Sequence, residues 1–517
     1  MFKYEFLKRN SLFLIVFITG ATVLIIEVTA FRIISPYFGN TLFTTSSIIG
    51  IVLGGLSSGY YLGGFLADKY PKFSTFFFLI FIVGIFSFLI QVFSKTILPA
   101  IGYSLDIKWG PPIVSLILFF IPCLILGTLS PFVIKLKTLE LKEIGKVSGK
   151  VFFWSTLGSI VGSFLAGFFL IPHFGISKII ISTGFLLAVI GLSGIWGSKN
   201  SKGKIYLKKP KFFFFLIIVL IIALFSSLVT LFSPKPESII FQKDGLYSQI
   251  TVEEKLFQDK KIRVLRLNRF SHSAVSLESD ELPFITYQKY YVVYKIINPD
   301  AEKALFLGGG AYSMPQGLLL DQNNIKRVDV VEIEPTLYQL AKQYFRLQGD
   351  PRLFNHIADG RRFLKETGEI YDLIFADAYD AGGFLPVHLA TREFFSLVKS
   401  RLAENGFFLI HILGTSNAKS NLLIPSEIKT FKSVFKNSYL FSVDSPSKKE
   451  PQHFILIGLK NNSQKIDFEG KEVLENKNEI IRSLPEKFVN LGDLNLDSAF
   501  IFTDDFAPIE YLTAKIY

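Results

Sequence analysis

Four carboxylates in this sequence stand where a nucleotide-binding sheet presents its acids. Glu332 ends a strand-like stretch at 327–331, Asp359 precedes Gly360 after a third such stretch, and Asp377 follows 371–376, with Asp380 completing a D-x-x-D step. Ahead of them, the run 304–307 leads into Gly308-Gly309-Gly310. Glycines at that point let a backbone approach a ligand closely. An acid ending the second strand, about 22 residues beyond the glycines, can accept hydrogen bonds from both ribose hydroxyls. Asp359 can accept from an exocyclic amine such as that of adenine. Asp377 and Asp380 at one desolvated strand end can push one pKa up toward that of a useful base. The loop Gly308-Gly309-Gly310-Ala311-Tyr312-Ser313 is not G-x-G-x-x-G, and no Walker lysine follows it. That pattern disfavours a nicotinamide dinucleotide and suits an adenosyl sulfonium, which carries no pyrophosphate.

These residues need strands and helices in alternation to bring them together. The spacing predicts strands over 304–307, 327–331, 371–376 and 406–412, the last ending near His411, and helices from Ser313 (an N-cap) and over 335–345. Such β-α repeats build a parallel, doubly wound sheet that binds ligands outside the carboxyl ends of its strands. A linker, 234–243, and alternating segments at 249–254 and 263–267 precede it, the latter two reading as strands. A helix is expected over 284–297, where Tyr287, Tyr290, Tyr291 and Tyr294 form an aromatic stripe of the kind that packs a core. The division is 1–235, helical; 236–290, small and β-rich; and 291–517, a Rossmann-like domain.

Half of the residues are hydrophobic, and they crowd into the first part of the chain. Seven segments of about 20 residues qualify as spanning helices: 11–31, 45–67, 75–94, 112–133, 152–172, 177–197 and 212–232. Gly50, Gly54, Gly55, Gly59 and Gly63 on the second, and Gly158 and Gly162 on the fifth, give small-xxx-small faces for close helix packing. Glu27 lies inside the first span with Arg32 about one turn further on, and an intramembrane carboxylate is a functional candidate. The net charge of +12 is uneven: residues 1–235 hold 21 Lys+Arg against 6 Asp+Glu, leaving 34 against 37 in the remainder. The basic excess sits in loops between spans, where it orients helices, and nucleic-acid binding gains no support. The basic loops alternate, placing the N-terminus in the cytoplasm and, after seven crossings, the C-terminal domain outside. A donor made in the cytoplasm argues for the other side, and the side stays open. The first span reads as a retained anchor, because Glu27 and Arg32 stand where a cleavage site would be. The single cysteine, Cys123, permits no disulfide within the chain and no cysteine-based metal site; a buried, inert thiol is expected.

Leu246-Tyr247-Ser248-Gln249-Ile250-Thr251-Val252, Phe306-Leu307-Gly308-Gly309-Gly310, Val331-Glu332-Ile333-Glu334, Asp359-Gly360-Arg361 and Asp377-Ala378-Tyr379-Asp380 together resemble the spermidine synthase family, the polyamine aminopropyltransferases. The resemblance covers about residues 240–415, and more loosely the whole chain. Leu385-Pro386-Val387-His388-Leu389-Ala390-Thr391-Arg392-Glu393-Phe394, Thr503-Asp504-Asp505-Phe506-Ala507-Pro508 and Ile25-Ile26-Glu27-Val28 look like its membrane-fused branch. The fold this implies is an N-terminal all-α transmembrane bundle of about seven helices, then a small β segment and an α/β Rossmann-like domain of the methyltransferase/spermidine-synthase type.

The activity it implies is transfer of an aminopropyl group from decarboxylated S-adenosylmethionine to a diamine such as putrescine, without a metal, in a multi-pass protein of the cell membrane. Asp377 would be the base and Asp380 its orienting partner, with Tyr287 and Gln288 also on the substrate. Ser248, Gln249, Gly308, Gly310, Glu332, Asp359 and Gly360 would hold the donor. Soluble relatives are often oligomers, so an oligomer is compatible with it. Several positions depart from the family. Its aspartate after the three glycines is Ala311, its Tyr-His-Glu is Tyr287-Gln288-Lys289, its Tyr-Gln is Tyr247-Ser248 with Gln249 adjacent, and its proline after D-x-x-D is Ala381. Nucleoside contacts persist while amine contacts change. That pattern admits methyl or alkyl transfer from intact S-adenosylmethionine to a membrane-near substrate, or a non-catalytic nucleotide sensor.

Overall fold

The computed structural model describes residues 2–102, 104–138, 140–198, 210–232, 236–279, 282–321, 324–379, 385–415, 421–448, 450–492, 494 and 496–515. The chain folds as two compact units, Met1–Lys235 and Pro236–Tyr517. Asp380 and Ala381 of the sequence reading lie outside the described residues.

The first unit is all helix. Among the described residues, six helices are long and apolar enough to cross a membrane: Ser11–Phe38, Leu42–Lys69, Phe73–Thr96, Gly110–Lys137, Ile144–Phe174 and Ile176–Gly197. The seventh expected segment is also helical, Pro210–Phe232, and its side chains are described from Ile218 onward. Local signals set the ends. The Thr41 side chain accepts from the Thr44 N–H to start the second helix, and Pro71 follows its end at Lys69.

Glycine then decides how closely the helices pack. A Cβ on Gly59 would stand 2.0 Å from the Leu124 carbonyl oxygen, and one on Gly158 2.0 Å from that of Phe17. Gly55, Gly63 and Gly162 meet neighbouring backbone in the same way, so those helices touch main chain to main chain. Gly50 and Gly54 differ from expectation. A Cβ there would meet nothing within 4 Å, because they lie on the opposite side of the helix from the Gly55-Gly59-Gly63 face. Cys123 is a buried free thiol packed against Gly55.

The second unit holds two sheets. The smaller is antiparallel in the order β1 (Ile239–Asp244), β2 (Gln249–Phe257), β3 (Lys260–Leu267) and β4 (Phe270–Ser276). Much of the expected linker is therefore strand β1, and β4 is an addition. The β2–β3 connection is the two-residue turn Gln258-Asp259, both at positive φ, the backbone twist a tight hairpin prefers.

The larger sheet runs β12-β10-β11-β9-β8-β5-β6-β7. Strands β5 (Lys303–Leu307), β6 (Arg327–Glu332), β7 (Leu353–Ile357), β8 (Tyr371–Ala376) and β9 (Leu402–Gly414) are parallel. Strands β10 (Ser438–Ser442), β11 (Gln452–Leu459) and β12 (Phe488–Val489) complete it in antiparallel pairing. Because successive side chains alternate faces, Phe306, Phe375 and Leu409 enter one core while Leu305, Leu307 and Ile374 enter the other. Phe306 stacks on its register partner Phe375 at 4.7 Å. Truncating either ring to alanine costs about 3–5 kcal/mol.

This is the Rossmann-like arrangement the sequence implies, and its strand order locates the site. The chain runs outward from β5 through β6 and β7, then returns to place β8 on the other side of β5. The sheet thus reverses direction between β5 and β8, opening a crevice at their carboxyl ends.

Candidate active site

The two strands at the reversal end in Gly308 and Asp377. Gly308 has φ +97, and a Cβ on it would stand 2.6 Å from the Asp377 carbonyl oxygen, so only glycine lets the loop lie against the tip of β8. Asp377 is held on both carboxylate oxygens. Tyr287 donates its hydroxyl to Oδ2 at 3.0 Å, and His411 Nδ1 lies 2.9 Å from Oδ1. The ring of His411 stacks on that of Tyr287 with centroids 3.9 Å apart, and its Nε2 meets His453 Nδ1 at 2.7 Å.

Burial of Asp377 pushes its carboxyl up. The hydrogen bond and charge of His411, with the Tyr287 hydroxyl, outweigh that and hold it below the usual carboxylate range. The sequence reading expected a raised pKa from a second acid. The described groups around Asp377 are instead donors, which act in the opposite direction. Burial, together with the Asp377 charge, raises Tyr287 well above a free phenol, so it remains a donor. Burial and the nearby His411 lower His453 to about 4, leaving it neutral at pH 7.

Gln288 supports this centre from behind. Its amide Nε2 donates to the Tyr287 hydroxyl oxygen and to the His272 carbonyl, and its Oε1 accepts from Ser313 Oγ. Ser313 is therefore the first residue of its helix, Ser313–Asp321, with its hydroxyl turned to Gln288 rather than capping. The helix expected over 284–297 begins as a 3-10 turn, Thr286–Val293, burying Tyr290 and Tyr291 in the core and bringing Tyr287 to Asp377.

Glu332 closes β6 beside the glycine loop. Its Oε2 accepts from the Gly309 and Gly310 N–H groups at 2.9 and 3.1 Å, and Oε1 from that of Glu334 at 2.9 Å. Burial raises its carboxyl despite those three bonds. A carboxylate offers about four lone-pair positions, so about one remains for a ligand hydroxyl without breaking a protein bond.

Residues 291–469 match the spermine/spermidine synthase domain model. The matched stretch is similar to a spermidine synthase domain. A polyamine aminopropyltransferase of Vibrio vulnificus (strain CMCP6) is 28% identical over 301 residues, spanning 56% of this chain and 98% of that protein. Another, from Leptospira interrogans, is 24% identical over 423 residues, spanning 80% of this chain and 81% of that protein. A match of that length runs well beyond the C-terminal unit into the helical one. Among solved structures, a probable spermidine synthase from Corynebacterium glutamicum ATCC 13032 is 18% identical, covers 53% of this chain and 98% of that chain, and has a TM-score of 0.43.

Within the C-terminal unit the remaining candidates separate. Asp359 caps the helix Gly360–Glu366, with Oδ1 accepting from the Arg362 N–H, while Oδ2 lies 2.8 Å from His388 Nε2. That hydrogen bond holds its carboxyl below the usual range. Behind it, Arg361 grips Asp504 with two nitrogens at 2.7 and 2.6 Å, and Thr391 Oγ1 donates to the same carboxylate. Two of the three stretches that resemble the membrane-fused branch, 385–394 and 503–508, thus meet around Asp359-Gly360-Arg361. Ser248 is buried, and the Tyr247 N–H donates to Glu334 Oε2, tying the small sheet to the tip of β6. The side chain of Gln249 is engaged by Gln242 and Asp244 of β1, within the small sheet.

His411, His453 and His272 are site residues to which sequence reasoning gave no role. His411 was visible as the polar end of an apolar strand. Nothing in the spacing links His453 or His272 to it, because antiparallel pairing of β11 with β9 supplies the first and the small sheet supplies the second.

Proposed function

We propose that the synthase domain moves an aminopropyl group from decarboxylated S-adenosylmethionine to a diamine such as putrescine, at the surface of a cell membrane crossed by the helical unit. The observation that carries this reading is the Asp377 carboxylate, fixed between Tyr287 and His411 at the sheet reversal and backed against the glycine loop. In the reaction, the amine lone pair attacks the aminopropyl carbon next to the sulfonium. The carbon–sulfur bond breaks with its electrons going to sulfur, which leaves as the neutral thioether methylthioadenosine. The proton lost by the new secondary ammonium passes to Asp377, which is ionised at neutral pH and ready to accept it. Glu332 would take a ribose hydroxyl, Asp359 the adenine amine, and Asp380 the distal ammonium of the diamine, aligning the attack.

A second reading is favoured by Ala311. It is buried in the core, where the family's aspartate would face the donor's amine, and its N–H is bonded to Ser273 Oγ. Without that carboxylate, intact S-adenosylmethionine meets no anion beside its own carboxylate, and methyl transfer becomes chemically reasonable. Calorimetry of the purified protein against decarboxylated S-adenosylmethionine, S-adenosylmethionine and methylthioadenosine separates the two. The aminopropyl reading expects the decarboxylated donor to bind tightest, and tighter binding of the intact donor with methyl transfer overturns it. A reporter fused after Tyr517, active only inside or only outside, fixes the side of the membrane.

A further inference from the structure

His272, on β4, has its Nε2 buried without a hydrogen-bond partner among the described residues. Leaving such an atom unbonded costs about 1–3 kcal/mol, so in a native protein it calls for an explanation such as a catalytic role or a bound partner. Its surroundings point to the active site. The His272 carbonyl accepts from Gln288, and the next residue, Ser273, accepts through Oγ from the Ala311 N–H. Gln288 and Ala311 occupy two of the positions where the family's amine contacts are missing from this sequence. Asp377 and His411 are near enough to act on the ring electrostatically, the first raising and the second lowering its proton affinity. Burial, the largest effect, acts with His411 to outweigh Asp377 and brings it to about 4. The imidazole is therefore neutral at pH 7 and keeps one nitrogen lone pair available.

We infer that His272 is a ligand contact: with its proton on Nδ1, its buried Nε2 accepts a hydrogen bond from the primary amine of a substrate lying beside Asp377. This inference rests on the transferase reading above. The amine belongs either to the donor's tail or to the diamine, and both present the same N–H chemistry. A neutral acceptor in place of a carboxylate binds the amine without adding a negative charge to the cleft.

The chain has six histidines, so the full-length protein labelled with ring-13C histidine in detergent gives few signals. His272→Gln identifies the one from His272. Titration with putrescine, with S-adenosylmethionine and with methylthioadenosine, which has no amine, is the test. The His272 signal is expected to move saturably with an amine-bearing ligand and to stay in place with methylthioadenosine. A shift with putrescine assigns the contact to the diamine, and a shift with S-adenosylmethionine alone assigns it to the donor's tail. His272→Ala should then weaken that ligand about tenfold and leave methylthioadenosine affinity unchanged. Binding of putrescine or S-adenosylmethionine with the His272 signal unmoved overturns the inference while leaving the transferase reading intact. If putrescine binds to nothing while S-adenosylmethionine shifts His272, the diamine reading fails and the contact stands. No shift with either amine removes the contact.

Discussion

His411 Nδ1 and Asp377 Oδ1 lie 2.9 Å apart, so the ring on β9 orients the carboxylate that ends β8. With Asp377 ionised, that ring nitrogen must carry the proton in this bond, and the ring is held from its other side by His453.

His411→Phe removes this donor. Asp377 is active when ionised, so activity is present above its pKa and is lost as pH falls through it. His411 holds that midpoint below the usual carboxylate range. In the variant, the acid limb of kcat/KM should move to higher pH, with activity at neutral pH about 10–100-fold lower. His411→Asn, which can still donate, should recover part of both. A profile unmoved in the phenylalanine variant would exclude this positioning role.

Two glycines five positions apart on one helix predict opposite outcomes. Gly59→Ala places a methyl 2.0 Å from the Leu124 carbonyl oxygen and should destabilise the helical unit by about 1–3 kcal/mol. Gly54→Ala meets nothing within 4 Å and should leave thermal stability in detergent unchanged or slightly raised. Equal effects from the two would show that the helices do not pack through this face.

Glu427 is buried on the helix Leu423–Val434, with Oε2 unpartnered among the described residues, and burial pushes its carboxyl up to about 8. The folded state binds this proton more tightly than the unfolded chain does. Its contribution to stability is therefore full below the ordinary glutamate pKa and declines as pH rises from there to about 8. Glu427→Gln should remove that decline, a gain on the order of a few kcal/mol at pH 8. Denaturant midpoints at pH 5 and pH 8 for both proteins check it.

The Arg361–Asp504 clamp predicts coupling between residues far apart in the chain. Arg361 holds Asp504 down at about 2, so the ion pair is complete above the ordinary aspartate pKa and is lost as pH falls through about 2. Asp504 is about half exposed, which limits the pair to about 1 kcal/mol. In a double-mutant cycle at pH 7, Asp504→Asn added to Arg361→Ala should cost little more than Arg361→Ala alone. Full additivity would show that the two do not act together.

Local order was legible in the sequence; long-range pairing was less so. The strands before Gly308 and Asp377 could be read because each apolar run stops at a glycine or an acid, whereas β6 holds Asp329 fully buried and itself ends on the buried Glu332. The six helices long and apolar enough to cross a membrane were legible from composition and run length alone. Strands β10 and β11 were missed because Ser438–Ser442 and Gln452–Leu459 are held by antiparallel partners that no local pattern announces. The sequence points to Asp359 as a ligand contact, and what the fold adds is its cap on the helix Gly360–Glu366 and its bond to His388, neither of which the spacing announces. The histidines around Asp377 come from β4, β9 and β11, and only the folded sheets bring them together.

The products made by the purified protein decide whether Asp377 serves as the base of aminopropyl transfer. Incubated with decarboxylated S-adenosylmethionine and putrescine, the protein should release spermidine and methylthioadenosine in equal amounts. Asp377→Asn should reduce the rate about 100-fold or more while still binding methylthioadenosine. Spermidine formation unchanged in Asp377→Asn, or no spermidine from the wild type alongside methyl transfer from intact S-adenosylmethionine, would contradict that role.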